Sequence, residues 1–577
     1  MIHTINSLKI KKIPIIYPKI IIKGIKFALT HKPQDFIQKT KSVIERETRI
    51  VNYNQSYHFF LKKNKLTPEK IDQEKKTIQK AKYQPKISIL MPTYNSPHKF
   101  LKINIESVVN QIYSNWELCI ADDNSPDKEV RNIIKEYAQK DKRIKYVFRK
   151  KNGHISQSTN SALKLAKGEF VALLDHDDIL YPNTLSECIK KLNQHSKADF
   201  IYTDEDKIDI YGHRFEPHFK PDWSPETLLS GNYITHFALI RKKIMDQIGG
   251  FRKGYEGAQD LDLFLRITEL TDKIYHIPQV LYSWRTVKTS TASKNSNAKS
   301  DYAYKNGIKS VFDALNRRGL TAKVEMGDGR GLYRYFIENK NKNIDFFIVK
   351  NTNNFTNKNL INDLKKEYPN SKIEIFSKNN LGEKICNFIK SSESDYILFL
   401  DNQCFLNPKI IRANLGFFKI KPIKIVTNKI TDTRKRIYKT GIIITKNNHA
   451  NSIDAFYGMS DGGYFNFNYS KMTKNFSATS LLGTTIDAKY FKLKNLNPIK
   501  NLKTFKEIGI FLSSIVNKNR IVYNPNFPII YKGKFIDKVI SKDITLISKK
   551  IIKSKKCDPN YNPNLTIKES NFNINNY

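Results

Sequence analysis

From residue 86 onward, short apolar runs alternate with stretches whose apolar residues recur at helical spacing. Residues 86–91 (KISILM) read as a buried strand. Ser96-Pro97 then read as an N-cap followed by proline at the first helical position, and Leu101, Ile105, Val108, Val109 and Ile112 share one helical face. Residues 117–121 are the second strand, and Val130, Ile133, Ile134 and Tyr137 mark the next helix. Strands follow at 144–148, 170–174 and 200–202, with a helix at 158–166 between the first two. This alternation predicts an α/β fold: a mostly parallel sheet with helices on both faces. A second α/β segment begins near Asn343, with strands at 344–349, 372–376 and 395–400. Its YILFLDNQ parallels the earlier FVALLDHDD, which reads as an internal repeat of the same half-fold. The expected domains are a basic, mostly helical region at 1–82, a catalytic unit at 83–335, a degenerate relative of it at 340–535 and a tail at 536–577.

Ligands of open α/β sheets bind beyond the carboxyl ends of the strands. Acidic residues stand where these ends are expected: Asp122-Asp123, Asp175-His176-Asp177-Asp178 and Asp204-Glu205-Asp206. Carboxylates converging on one edge repel each other, and in a chain of net charge +44 they call for a cation. The Asp175-x-Asp177 spacing suits Mg2+ or Mn2+ held against a departing diphosphate; an acidic turn with no ligand has the same spacing. Asp123, with Asp122 beside it, can accept from a nucleobase N–H or a ribose hydroxyl, or simply build an Asx turn. Residues 255–262 (YEGAQDLD) follow Gly249-Gly250 and bring Asp260, either as a general base for an acceptor hydroxyl or as a helix cap. In residues 281–285 (LYSWR), near Thr289-Ser290-Thr291, Trp284 and Arg285 offer stacking and bidentate contact to a diphosphate; the alternative is a core Trp beside a surface Arg.

The order of KISILMPTYNSP, WELCIADDNSPD, LLDHDDIL, YTDEDKID, FKPDWSPETLLS, GGFRKGYEGAQD and HIPQVLYSWR resembles glycosyltransferase family 2, and within it the two-domain members of O-antigen, rhamnan and other surface-polysaccharide assembly. The resemblance implies a GT-A fold followed by a second GT-A-like domain. It implies a nucleotide-diphosphate-sugar donor, a divalent metal, inversion at the anomeric carbon and a glycan acceptor carried on a lipid. Carried onto this chain, Pro92, Tyr94, Asp122 and Asp123 line the donor, Asp177 is the principal metal ligand, and Asp175 holds the ribose or a metal-bound water. Asp260 is the base, and Trp284 and Arg285 flank the diphosphate or acceptor. Three positions depart from the family's pattern. Ala258-Gln259 precede the base, Ser283 replaces a His before Trp284, and His154 stands where Gly is common. In the second segment the metal motif reads Asp401-Asn402-Gln403 and the base region Phe505-Lys506-Glu507-Ile508-Gly509, so that half is expected to be non-catalytic.

The charge, 99 Lys and Arg against 55 Asp and Glu, admits a compositional bias, a membrane surface or nucleic acid. No nucleic-acid module is visible, so no nucleic-acid partner is expected. The five cysteines form no CxxC pair, which fits a reducing compartment. No stretch approaches the ~20 apolar residues of a spanning helix. The Lys- and Ile-rich segment 9–29 suits either the surface of a membrane or a packed N-terminal helix, so a cytoplasmic protein is expected, peripheral on the inner face of the cytoplasmic membrane under the first of these readings. The other functional class in play is a non-catalytic binder of nucleotide sugars or polysaccharide. It requires a lost base or metal site, and Asp175, Asp177 and Asp260 are all present.

Overall fold

The computed structural model describes residues 51–286, 297–341, 343–350, 358–444, 452–460, 466–533, 551, 558–566 and 573–574. The segment 9–29, Thr289-Ser290-Thr291 and most of the expected tail lie outside them. The first sheet contains β1 (Ile87–Thr93), β2 (Trp116–Asp122), β3 (Ile144–Phe148), β4 (Phe170–Leu173), β5 (Ile179–Leu180), β6 (Phe200–Ile208), β7 (Arg214–His218), β8 (Ala238–Arg241) and β9 (Ile274–Arg285). Their order is β3-β2-β1-β4-β8-β6-β9-β5, with β7 paired to β6.

β1 to β4 are parallel, and every residue of β1 and β2 is buried, as continuous apolar runs covered on both faces require. β8 enters antiparallel between β4 and β6, and β9 runs parallel to β6. The start of β8 therefore lies at the same edge as the ends of β1, β2 and β4. That inversion places the site.

Two local expectations are corrected. The first helix of this unit is His98–Val109 with Pro97 at the N-cap and no side-chain cap, so Ser96 lies outside it. β6 runs to Ile208, so Asp204, Glu205 and Asp206 lie within a strand rather than in a loop beyond one. They are buried and paired. Asp204 accepts from His276 Nε2 at 2.9 Å, and Asp206 accepts from Tyr57 Oη and Arg214 Nε at 2.6 Å each.

A hairpin of β10 (Ala322–Met326) and β11 (Tyr333–Ile337) leads to the second sheet. Its strands are β12 (Ile344–Lys350), β13 (Ile373–Ser377), β14 (Tyr396–Asp401), β15 (Cys404–Phe405), β16 (Ile423–Thr431), β17 (Ile437–Lys439), β20 (Lys474–Phe476), β21 (Thr484–Asp487) and β22 (Arg520–Tyr531), with a small ribbon of β18 (Ile442–Ile444) and β19 (Ser452–Asp454) beside it. The order β13-β12-β14-β21-β16-β22-β15, with β17 on β16, repeats β2-β1-β4-β8-β6-β9-β5 with β7 on β6. Each pairing keeps its direction. The expected internal repeat is thus present at the level of topology.

The two halves share one apolar core that includes Phe200, Leu229 and Tyr335 with Phe417, Val426 and Tyr523. Burying each such side chain stabilises by about 1.5–3 kcal/mol. Polar ties cross the same boundary: Arg520 pairs with buried Glu226 at 2.7 Å, and His218 bonds Tyr469 at 2.8 Å. The C-terminal residues 558–566 reach both halves, with Asp558 accepting from Ile444 N at 2.8 Å and Asn564 donating to the carbonyl of Pro278 at 2.8 Å.

Candidate functional site

Asp175, Asp178 and His236 place ligand atoms within 4.8 Å of one another at the edge where β4 ends and β8 begins. The backbone between Asp175 and Asp178 is held by Asn104, whose amide donates to both their carbonyls at 2.7 and 2.8 Å. Asp178 is fully buried; it accepts from the Tyr282 hydroxyl and from Arg285 N at 2.7 Å. The His236 ring stacks on Tyr282 at 4.7 Å between centroids and meets Trp284 edge-on at 6.0 Å. Asp177 is not one of the three clustered groups. Burial pushes its carboxyl above the ordinary range, His176 opposes this and Asp175 adds to it. Burial, then the charges of Asp177 and Asp175, push Asp178 well above that range. Carboxylates raised by burial and by one another form a set that a cation would relieve.

Asp260 is the second residue of the helix Gln259–Ile267, whose N-cap is Ala258. It therefore does not cap the helix. The turn before it has Gly257 at φ +81°, where a Cβ would lie 2.6 Å from that of Ala303. Burial, then the charge of Asp175, raises the Asp260 carboxyl to about 6, with His236 opposing. The remaining helix-start acid, Asp262, is occupied by Arg252 and by Arg266 Nε at 3.0 Å.

At the ends of β1 and β2, Pro92 is buried and Tyr94 is exposed. Asp122 is internally satisfied: it accepts from Ser125 N at 3.2 Å and Arg131 Nε at 3.0 Å, which is the Asx-turn arrangement. Asp123 accepts Gly153 N at 3.0 Å on each oxygen and Arg149 Nε at 2.6 Å. His154 has φ +63°, the left-handed region that glycine enters without steric cost. Arg285 is buried, donates Nε to the Asp177 carbonyl at 2.7 Å and Nη1 to the Asp209 carbonyl at 3.0 Å, and lies over the Phe100 ring. It clasps the acidic loop.

Asn104, His236 and Tyr282 carried no local signal. His236 precedes the apolar run of β8, and only the reversed direction of that strand reveals that it faces the acidic loop.

The repeat shows how the second half differs. Ala172 pairs with Leu239 and Leu398 with Thr485; Asp175 and Asp401 each lie three residues beyond the first of these. Counting from these pairs, His236 corresponds to Leu482 and Asp178 to Cys404. Ile179 pairs with Ser283 and Phe405 with Ile530, so Tyr282 corresponds to Ile529 and Arg285 to Lys532. Cys404, Leu482 and Ile529 are buried.

Residues 88–249 match the model of Glycosyl transferase family 2. The chain is 44% identical over 246 residues to the uncharacterized protein y4gI of Sinorhizobium fredii, covering 42% of this chain and 27% of that one. It is 35% identical over 257 residues to the O-antigen biosynthesis protein RfbC of Myxococcus xanthus, covering 44% and 20%. It thus spans only about a quarter of the length of these relatives. Among solved structures, the Staphylococcus aureus TarS complex with UDP-GlcNAc aligns at 22% identity and a TM-score of 0.33 over 40% of this chain and 67% of that one. Among described residues no helix is long and apolar enough to cross a membrane. The putative glycosyltransferase EpsE of Bacillus subtilis is 31% identical over 257 residues, 44% of this chain and 90% of that one. With a relative matched over nearly its whole length, and with the α/β fold described above, the chain belongs to glycosyl transferase family 2.

Proposed function

We propose that the first half is an inverting, metal-dependent glycosyltransferase that moves a sugar from a nucleotide-diphosphate-sugar to a lipid-linked glycan of surface-polysaccharide or O-antigen type. The observation that carries this reading is Asp260: a half-buried carboxyl raised to about 6 beside the Asp175–Asp178–His236 cluster. A base poised near working pH takes the acceptor hydroxyl proton as that oxygen attacks the anomeric carbon. Attack from the face opposite the leaving diphosphate inverts the centre.

The two carboxylates suit Mn2+ or Mg2+, and the added imidazole favours Mn2+ of the two. Asp175, Asp178 and His236 would hold the ion, and Asp177, in the same loop, would be a further ligand to it. What such an ion supplies when bound is neutralisation of charge on the departing diphosphate. Tyr94 and Asp123, at the ends of β1 and β2, are assigned to the nucleobase and ribose. Arg149 and Gly153 fix the Asp123 carboxylate for that contact. Trp284 and Arg285 hold His236 and the acidic loop in place.

The second half is assigned a non-catalytic role in supporting the first or positioning a long acceptor, because Cys404, Leu482 and Ile529 stand in for Asp178, His236 and Tyr282. Peripheral attachment at the inner face of the cytoplasmic membrane belongs to the same proposal. It rests on the basic segment 9–29, and anionic vesicles that fail to pellet the protein at low salt would contradict it.

The test is release of nucleoside diphosphate from UDP-, dTDP- and GDP-sugars with Mn2+ or Mg2+, for wild type and Asp177→Ala. Ion-dependent release from one donor, lost in the variant, is expected. Absence of both release and donor binding from folded protein would overturn the reading.

A further inference from the structure

A buried acid outside the ligand cluster separates the two halves. Glu205, in β6, accepts the backbone N–H of His236 at 2.9 Å and the hydroxyl of Thr235 at 2.7 Å. Thr235 has φ +42°, a conformation that a β-branched residue adopts only when its surroundings impose it. Lys220, fully buried, pairs with Glu205 at 3.4 Å and donates to the carbonyls of Ile234, at 2.6 Å, and His236. Burial alone would raise the Glu205 carboxyl; Lys220, then His218 and His236, outweigh it and keep the group ionised.

The second half contains a control for this arrangement. Lys439 donates to the carbonyls of Ser480, at 2.7 Å, and Leu482, at the same two-residue spacing, so a buried lysine pins this turn in both halves. The acid has no such counterpart. Ile201 pairs with Leu239 as Val426 pairs with Thr485, which sets Glu205 against Ile430. The other neighbour agrees: Glu205 pairs with Tyr282, and Ile430 with Ile529. Ile430 is fully buried. The strand therefore accepts an aliphatic residue here. The carboxylate accompanies His236, Asp178 and Tyr282, whereas the lysine accompanies the turn.

We propose that Glu205 is a positioning residue: by holding the strained Thr235-His236 backbone it aims the His236 imidazole at Asp175 and Asp178. The proposal rests on reading that cluster as the ion site. Glu205 itself touches neither substrate nor ion.

The test is Mn2+ binding to the full chain, followed by electron spin resonance of free Mn2+, for wild type, Glu205→Ile, His236→Ala and the double variant, with folding checked by thermal melting. Glu205→Ile, which copies the second half, is expected to weaken Mn2+ binding by about 10- to 100-fold, as loss of an outer support does. His236→Ala added to Glu205→Ile should cost little more, because both changes remove one interaction. If Glu205→Ile does not fold, Glu205→Gln keeps one acceptor and should still weaken Mn2+ binding several-fold. Wild-type affinity in the folded variant, or two effects that multiply, would overturn the proposal. A wild-type protein that binds no Mn2+ overturns the ion-site reading and the proposal with it; an Mn2+ affinity untouched by Glu205→Ile overturns only the latter.

Discussion

Asn562 donates its side-chain amide to both carboxylate oxygens of Asp204, at 3.0 and 2.8 Å, across 358 residues of chain. The same amide also reaches the carbonyl of Lys220 at 2.9 Å. The C-terminal segment is thereby built into the polar layer behind the candidate site. Asn562→Leu leaves a fully buried carboxylate short of two hydrogen bonds, which costs about 1–3 kcal/mol. Urea denaturation should show that loss; an unchanged midpoint would remove the segment from the structural account.

Tyr282 links the second ligand to the first sheet's edge through its hydroxyl on Asp178. Tyr282→Phe keeps the ring beneath His236 and deletes that bond together with the one the hydroxyl accepts from Asp175 N at 3.3 Å. Mn2+ affinity is expected to fall by about tenfold, with the nucleotide affinity measured without metal unchanged. Equal losses in both would indicate a general disturbance instead.

The pH dependence follows from Asp260. Its carboxyl is raised from 3.8 to about 6 by burial and by Asp175. A base acts ionised, so kcat/KM should fall as pH drops through about 6, and a bound cation, which favours the ionised form, moves that limb lower. The stability sign is opposite. A raised carboxyl favours the fold below pH 4 and loses that contribution as pH rises through about 6. Asp260→Asn should therefore be more stable than wild type near pH 7.5, by up to about 3 kcal/mol, and as stable as wild type near pH 3. A wild type more stable than the variant at pH 7.5 would contradict this assignment.

If the second half performs no chemistry, Asp401→Asn should leave kcat within about twofold, whereas Asp175→Asn should remove a term of several kcal/mol. Initial rates with a fixed donor decide it. A large loss in Asp401→Asn would require a second working site.

The sequence exposed the parts whose signals are local. Apolar runs located β1 to β4, carboxylates at their ends located the acidic loop, and the acidic run 255–262 after Gly249-Gly250 located Asp260. The repeat was legible because YILFLD and FVALLD share a pattern. β6 was cut short because three consecutive acids look like a loop; their partners, Lys220, Arg214 and His276, come from distant positions that periodicity does not register. His236 was missed because its place depends on β8 running antiparallel, a property of the whole sheet. Tyr282 and Asn562 act through contacts 104 and 358 residues away.

The most direct test of the central claim is single-turnover sugar transfer by Asp260→Asn under saturating donor and Mn2+, with donor and Mn2+ affinities measured in parallel. The account predicts a rate reduced by about 10²–10⁴-fold with both affinities preserved. Transfer at the wild-type rate would contradict it, because the proton of the acceptor hydroxyl would then have to leave through another group.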